Sequence, residues 1–376
     1  MLVSRSDRGL VSRWWFTTDW PLMSAVFLLM ALGVVVSLAA SPPVAERIGV
    51  EPMHFVKSQL FFISLAVGGL VTLSFLPEKW ARRVAMLAFA VSLLAMVAAL
   101  FWGPEIKGAH RWLDLGRFSL QPSEFAKPSF VMVFAWFLTD RLRRPDMPGH
   151  VAAYGLAGLF MGLLVLQPDF GQAALVLLTV GAMLLISGVS WLFITALAGG
   201  TTLVAAAVYT VVPHVQSRVD RFLYPDKGDS FQIDTALQAF VHGGVLGTGP
   251  GGGQAKRFLP DAHTDFTFAV VGEEFGYIAC LFLIAVFCFI VLRVQVKARK
   301  IEDPFAALAM SGLATMFGLQ TCINMGVNVA LLPAKGMTLP FISYGGSSLL
   351  GTALLMGFIL ALARSSASAG KPVSPA

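Results

Sequence analysis

Charge is what this sequence has least of. Asp, Glu, Lys and Arg make up 13% of its 376 residues, against 56% hydrophobic residues and a mean hydropathy of +0.75, which excludes a soluble globular protein with a charged shell. Cysteine is scarce too. Cys280, Cys288 and Cys322 all fall inside apolar runs, no CxxC occurs, and the six histidines are scattered. These patterns argue against a disulfide framework and a protein-built zinc site, and leave the cysteines as small packing residues. There is no internal repeat, and low complexity is confined to the tail from Ser365. The net charge of +6 fits anionic lipid, and nothing points to nucleic acid.

What the chain has in quantity is apolar length. Ten runs long enough to cross a bilayer as helix cover roughly 22–40, 57–76, 84–103, 119–139, 151–167, 170–188, 191–212, 266–292, 305–326 and 343–363. The fold class expected is therefore all-α, a polytopic integral membrane protein. A cytoplasmic segment 1–21 precedes a ten-helix domain 22–363, whose long outer loop 213–265 joins helices 7 and 8, and a cytoplasmic tail 364–376 follows. The first run follows Arg5, Arg8 and Arg13 but is long for a signal peptide and lacks a convincing cleavage site, so it reads as a retained helix. Lys79, Arg82 and Arg83, then Arg141, Arg143 and Arg144, then Arg293, Lys297, Arg299 and Lys300 fall in short joints on one side, which the positive-inside rule makes cytoplasmic. Basic residues on the outer side (Lys107, Arg111, Arg117, Arg218, Arg221, Lys256, Arg257) either pair with acids such as Asp114, Asp220 and Asp261 or bind an anionic headgroup or diphosphate.

Function is sought where polar residues interrupt this pattern. Residues 41–56, with Pro42, Pro43 and Pro52, read as a short outer turn. The joint Lys107–Lys127 is richer, gathering Lys107, His110, Arg111, Asp114, Arg117, Glu124 and Lys127 around Trp112. Pro122 and Ser123 suit a helix start, and Glu124 and Lys127 then share a face, either as an ion pair anchoring the helix or as a polar wall of a cavity. Asp169, in the break Gln167-Pro168-Asp169-Phe170, either faces the bundle interior or caps the next helix.

The long outer loop has internal order. Tyr224–Gly228 spells a turn, Asp229 suits an N-cap, and Ile233, Leu237, Phe240 and Val241 form the apolar stripe of an amphipathic helix. His242–Gly253 holds seven glycines in twelve residues and reads as a mobile arm, without the lysine and hydroxyl of a P-loop. The loop ends at Asp265, the last charge before the apolar run at Phe266; it either caps that helix or is an acid kept at the lip of the bilayer for use. Glu273 and Glu274 follow inside the run with no basic neighbour in sequence, so they must face a cavity, be hydrogen-bonded or be protonated. Near the C-terminus, Pro333, Pro340 and the cluster Ser343–Ser348 break the helix where polar groups can line a watery pocket.

In order, KGAHRWLDLG, QPSEFAK, QPDFG, LPDAHTDF, GEEFG and LPFISYGGSSLL resemble the motifs of the SEDS family of cell-shape, division and sporulation proteins over nearly the whole chain. GEEFG and INMGVNVALLPAKGMTLP are more similar to its division branch than to its elongation branch. Gly252 is a departure, standing where an acidic residue is often found, so no role for that carboxylate carries over. The resemblance implies ten helices with both termini cytoplasmic in the bacterial inner membrane, at the division septum. It implies a peptidoglycan glycosyltransferase polymerising lipid II and releasing undecaprenyl diphosphate. Partners implied are a class B penicillin-binding protein, the division transpeptidase, and other divisome membrane proteins. By motif match Asp265 is the candidate general base, with Lys107, Arg111, Glu124, Lys127, Asp169, His263, Ser343 and Ser347 as candidate substrate-binding residues. No cofactor motif is recognisable, and a divalent ion, Mg or Mn, would accompany the substrate diphosphate. A lipid II flippase would need the same outer polar cavity and broken helices, and a noncatalytic scaffold recruiting the division synthase is a third reading.

Overall fold

The computed structural model describes residues 9–106, 108–116, 118–140, 149–211, 216, 220, 231–259, 261–333 and 336–369. Lys107, Arg117, Arg141, Arg143, Arg144, Arg218, Arg221, the turn Tyr224–Gly228 and the cap Asp229 lie outside these residues. The described chain is almost entirely helical: α1 Leu10–Thr17, α2 Trp20–Ile48, α3 His54–Ser74, α4 Glu78–Trp102, α5 Pro122–Asp140, α6 Gly149–Leu166, α7 Phe170–Ile186, α8 Trp191–Val211, α9 Phe231–Gly243, α10 Thr267–Ala298, α11 Pro304–Asn328 and α12 Gly346–Ala369. Ten of these, α2–α8 and α10–α12, coincide with the ten expected apolar runs; among the described residues seven of them are long and apolar enough to cross a membrane, and the protein is a multi-pass membrane protein. Between α4 and α5 a two-residue hairpin pairs Leu113–Asp114 with Ser119–Leu120.

Lipid tails are as apolar as leucine, so helices in a bilayer associate through close packing and interior polar contacts rather than through hydrophobic drive. The two kinds of surface are visible here. Leu87, Leu94 and Phe101 on α4 and Ile278, Leu281 and Leu292 on α10 are exposed, whereas α5, α11 and α12 form the buried centre with Phe130, Phe134, Phe317 and Phe358 inside. Backbones approach where glycine permits it. A Cβ on Gly351 of α12 would meet the Glu124 carbonyl of α5 at 2.5 Å.

The end of the bundle carrying Arg82, Arg293 and Lys297 is tied by charge. Buried Asp19, which also accepts from the Leu22 N–H at the start of α2, takes Arg293 Nε and Lys297 Nζ from the end of α10, each at 2.8 Å. Arg364 of α12 donates to the Ser74 and Phe75 carbonyls (3.0 and 2.6 Å), satisfying the C-terminal end of α3. Trp14 of the short helix α1 donates to Ser74 Oγ at 2.8 Å and stacks on Phe75.

Three sequence expectations change. First, Pro42 and Pro43 do not make a turn: α2 runs through both to Ile48. Pro43 has no N–H for the Ala39 carbonyl, and Lys256 Nζ donates to that carbonyl instead, at 2.9 Å. Second, the apolar run after Asp265 is not one helix but two, broken at Gly276 (φ 75°, ψ −178°), which leaves Glu273 and Glu274 on the short piece before the break. Third, α9 meets the bundle through Thr235, Ala236, Ala239, Phe240 and Gly243, while Leu237 and Val241 of the expected stripe are exposed. Gly272 gives the room, since a Cβ there would strike the Phe240 ring.

Candidate active site

The polar residues of the opposite end converge on α11. This helix carries amide side chains at Gln320, Asn324 and Asn328, all buried. Steps of four residues place them on one face, about 6 Å apart along the axis. Each rung holds a different part of the site.

At the upper rungs sits the turn bearing Asp265. The N–H groups of Thr264, Asp265 and Phe266 all donate to the Asp261 carbonyl (3.1, 3.0 and 3.2 Å), curling residues 261–266 around it. The Asp265 carbonyl accepts from Asn324 Nδ2 at 3.0 Å and from Asn328 Nδ2 at 2.9 Å. Asp265 is half-buried. It is not the cap of the following helix, because Phe266 occupies that position with no side-chain cap. Across from it lies Gly336: a Cβ there would lie 3.3 Å from Asp265 Oδ2. His263 belongs to the same turn, its carbonyl accepting the Tyr344 N–H at 2.9 Å and its ring clustered with those of Phe55 and Tyr344. Ser343 is drawn in as well, donating to Thr267 Oγ1 at 3.0 Å while accepting from the Leu339 N–H at 2.9 Å.

At the lower rung lies a buried charge network. Lys127 Nζ donates to Glu124 Oε1 (3.0 Å), Gln172 Oε1 (2.7 Å) and Gln320 Oε1 (3.5 Å), using the three donors of an ammonium. Gln172 Nε2 returns a bond to Glu124 Oε1 at 2.9 Å, and Gln320 Nε2 donates to the Thr338 carbonyl at 3.2 Å. Glu124 and Lys127 are 4% and 2% exposed, which makes the pair buried rather than superficial. Asp169 does both things its sequence allowed: it accepts from the Gln172 N–H as cap of α7 and it is buried, facing Gln121 Nε2 at 3.4 Å and Arg111 Nη1 at 3.9 Å. Arg111 also donates to the Gln167 (2.9 Å) and Pro168 carbonyls, closing the C-terminal end of α6. Ser347 joins the hairpin, accepting the Gln121 N–H at 3.0 Å and donating to the Ser119 carbonyl at 3.4 Å.

The structure thus brings Asp265, His263, Ser343, Ser347, Glu124, Lys127, Asp169 and Arg111 to one end of the bundle. Gln121, Gln172, Gln320, Asn324 and Asn328 were not singled out from sequence, although amides every fourth residue in an apolar helix are a readable signal.

The glycine-rich stretch is docked rather than a loose arm. The N–H groups of Thr248 and Gly249 donate to the Glu273 and Glu274 carbonyls (2.9 and 3.1 Å). That of Gly251 reaches Glu274 Oε2 at 3.0 Å, and those of Gln254 and Ala255 reach Glu273 Oε1 at 2.8 and 2.9 Å. Glu274 also pairs with buried Lys256. Six of the glycines in 243–253 allow this: Gly243, Gly244, Gly247, Gly249, Gly251 and Gly253 either hold positive φ or lie where a Cβ would strike the Glu273–Glu274 segment. Glu273 and Glu274 are therefore hydrogen-bonded carboxylates of a clasp, not walls of a cavity.

Comparisons with known proteins agree with this architecture. Residues 20–368 match the FtsW/RodA/SpoVE family model, described as cell cycle protein. The chain is 41% identical to the probable peptidoglycan glycosyltransferase FtsW of Caulobacter vibrioides, over 96% of this chain and 93% of that one. It is 36% identical to the protein of the same name from Allochromatium vinosum, over 92% and 89%. Among solved structures, a chain from a peptidoglycan synthase complex, in work on the coordination of polymerization and crosslinking, superposes with a TM-score of 0.78 at 29% identity, covering 92% of this chain and 98% of that one. The rod shape determining protein RodA of Thermus thermophilus superposes with a TM-score of 0.69 at 29% identity, covering 94% and 98%. Matched from its second helix through its last, by sequence and by fold, this chain belongs to the FtsW/RodA/SpoVE family of cell cycle proteins.

Proposed function

We propose that the chain is a peptidoglycan glycosyltransferase that polymerises lipid II into glycan strands during septal wall synthesis, with Asp265 as general base. The 4-hydroxyl of one lipid-linked disaccharide attacks the anomeric carbon of the growing chain. The new C–O bond forms as the bond to the diphosphate breaks, the hydroxyl proton passes to Asp265, and undecaprenyl diphosphate leaves with the bonding pair. The observation that carries this reading is the mounting of Asp265. It is half-buried, fixed by its main chain to α11, and faced by the small Gly336.

Arg111, with a quarter of its side chain exposed, and Lys107 are proposed as the cations that meet the diphosphate. Lys127 is spent on Glu124, Gln172 and Gln320 and acts by fixing the floor of the site. An Mg or Mn ion is proposed to accompany the substrate diphosphate. The partner proposed is a class B penicillin-binding protein, whose single helix packs in the membrane while its base meets the outer loops. Both termini are then cytoplasmic.

The test is glycan polymerisation from lipid II by the purified protein with its partner in detergent, where no sidedness exists for a flippase to act on. Asp265→Asn keeps shape but takes no proton, and should lower polymerisation by roughly 10²- to 10⁴-fold with normal membrane level and partner binding. Substantial polymerisation by the folded variant would refute the base assignment. Translocation in liposomes with no polymer from the native protein would refute the enzyme.

A further inference from the structure

The two asparagines of α11 do more than fill polar space. Asn324 Nδ2 has two hydrogens and two carbonyls to meet, that of Asp265 at 3.0 Å and that of Met337 at 2.6 Å. Both neighbours are acceptors, so only the amide nitrogen can face them, which fixes the orientation of the side chain. Among the described residues its buried oxygen has no hydrogen-bond partner. An orphaned buried acceptor opposes folding, so the amide is explained by the two bonds its nitrogen makes.

Asn328 completes the arrangement. Its Nδ2 donates to the Asp265 carbonyl (2.9 Å) and to the Asn324 carbonyl (2.9 Å), while its Oδ1 accepts the Ala269 N–H (3.0 Å) in the first turn of α10. Both lone pairs of the Asp265 carbonyl are thereby occupied. One amide ties the Asp265 turn to the 336–343 segment, and the other ties it to the start of α10. The turn 261–266 that carries the Asp265 carboxylate and the Gly336–Met337 segment that faces it thus have a common fixed point on one helix.

We propose that Asn324 and Asn328 are positioning residues for the reaction, setting the distance between the Asp265 carboxylate and the facing Gly336–Met337 backbone. This rests on the reading of Asp265 as general base. A misplacement of about 1 Å in such a group is worth up to about 100-fold in rate. Loss of the clamp therefore lowers turnover and leaves substrate affinity in place.

The experiment uses the full-length protein with its transpeptidase partner, and measures kcat and KM on lipid II together with thermal unfolding. Asn324→Ala and Asn328→Ala should each lower kcat about 10- to 100-fold with KM within about twofold of native. Asn324→Ser, which keeps one short donor and is the variant to rely on if Asn324→Ala does not accumulate, should fall between native and alanine. Gln295→Ala, on the far half of α10, supplies a control with a lost side-chain hydrogen bond and native kcat. The decisive arm adds Asn328→Ala to Asp265→Asn. A clamp that acts through the carboxylate has nothing left to position, so the double variant should keep the residual rate of Asp265→Asn. If that rate is undetectable, the acid limb of the kcat–pH profile should shift in Asn324→Ser and stay native in Gln295→Ala. Native kcat in folded alanine variants, a proportionate loss in KM alone, or full additivity with Asp265→Asn would overturn the proposal. High activity of Asp265→Asn by itself overturns the base reading instead, and the two failures are distinct.

Discussion

Asp265 and the pair Glu273–Glu274 are eight and nine residues apart on the same stretch of chain, yet α11 anchors the first through its main chain while the glycine-rich stretch meets the second through its carboxylates. At Glu273 and Glu274 the side-chain oxygens take the bonds, from the N–H groups of Gly251, Gln254 and Ala255 and from Lys256. At Asp265 the main chain is gripped, its N–H by Asp261 and its carbonyl by Asn324 and Asn328. A carboxylate that accepts backbone N–H groups in a buried clasp is committed to structure. One whose residue is anchored through the backbone can have its side chain oriented for chemistry without that chemistry loosening the fold.

The contrast is sharpest in a pair of substitutions. Asp265→Asn should cost polymerisation roughly 10²- to 10⁴-fold with little change in unfolding temperature, whereas Glu274→Gln should reverse that order, with a clear drop in stability and a smaller loss per folded molecule. Equal behaviour of the two, measured by lipid II polymerisation and by melting in detergent, would erase the distinction. Next in size are the buried pairs. Lys256→Ala strands Glu274, and Lys127→Ala strands Glu124; each should destabilise by about 3–5 kcal/mol, read as loss of folded protein, against under about 1 kcal/mol for an exposed pair. A well-folded but inactive Lys127→Ala would instead move that lysine from the floor of the site to direct contact with substrate.

Smaller again is Gly247→Ala. Gly247 has φ 80° and packs against the Glu274 carbonyl, so the substitution should cost about 1–3 kcal/mol through the clasp and not through Asp265. The smallest effect is at the other end. Burial pushes the Asp19 carboxyl up, but Lys297 and Arg293 together pull it below the ordinary carboxylate value. Its contribution is therefore present above the unfolded value of about 3.9 and is lost as pH falls through the lower folded value. The acid limb of the stability–pH curve should flatten in Asp19→Asn, and an unchanged limb would show that the clasp of α2 on α10 is unimportant.

Composition and run length alone determined the class of this protein and the order of its ten apolar helices, because the bilayer demands about 20 apolar residues per helix whatever the neighbours are. The ordered motifs determined the family and marked Asp265, Glu124, Lys127 and Asp169. Local sequence did not decide which acids have partners. Lys256 meets Glu274 eighteen positions away and also takes the Ala39 carbonyl that Pro43 leaves open, and Gln59 of α3 reaches the Ile342 carbonyl on the far side of the chain. Glycine abundance looked like freedom for the same reason. The N–H groups of Thr248, Gly249, Gly251, Gln254 and Ala255 find their acceptors only when the Glu273–Glu274 segment before the break at Gly276 is laid beside them. Periodicity reports what a helix shows to its surroundings, but the partner of a buried polar group is chosen by which helix lies opposite, and that contact exists only in the folded bundle.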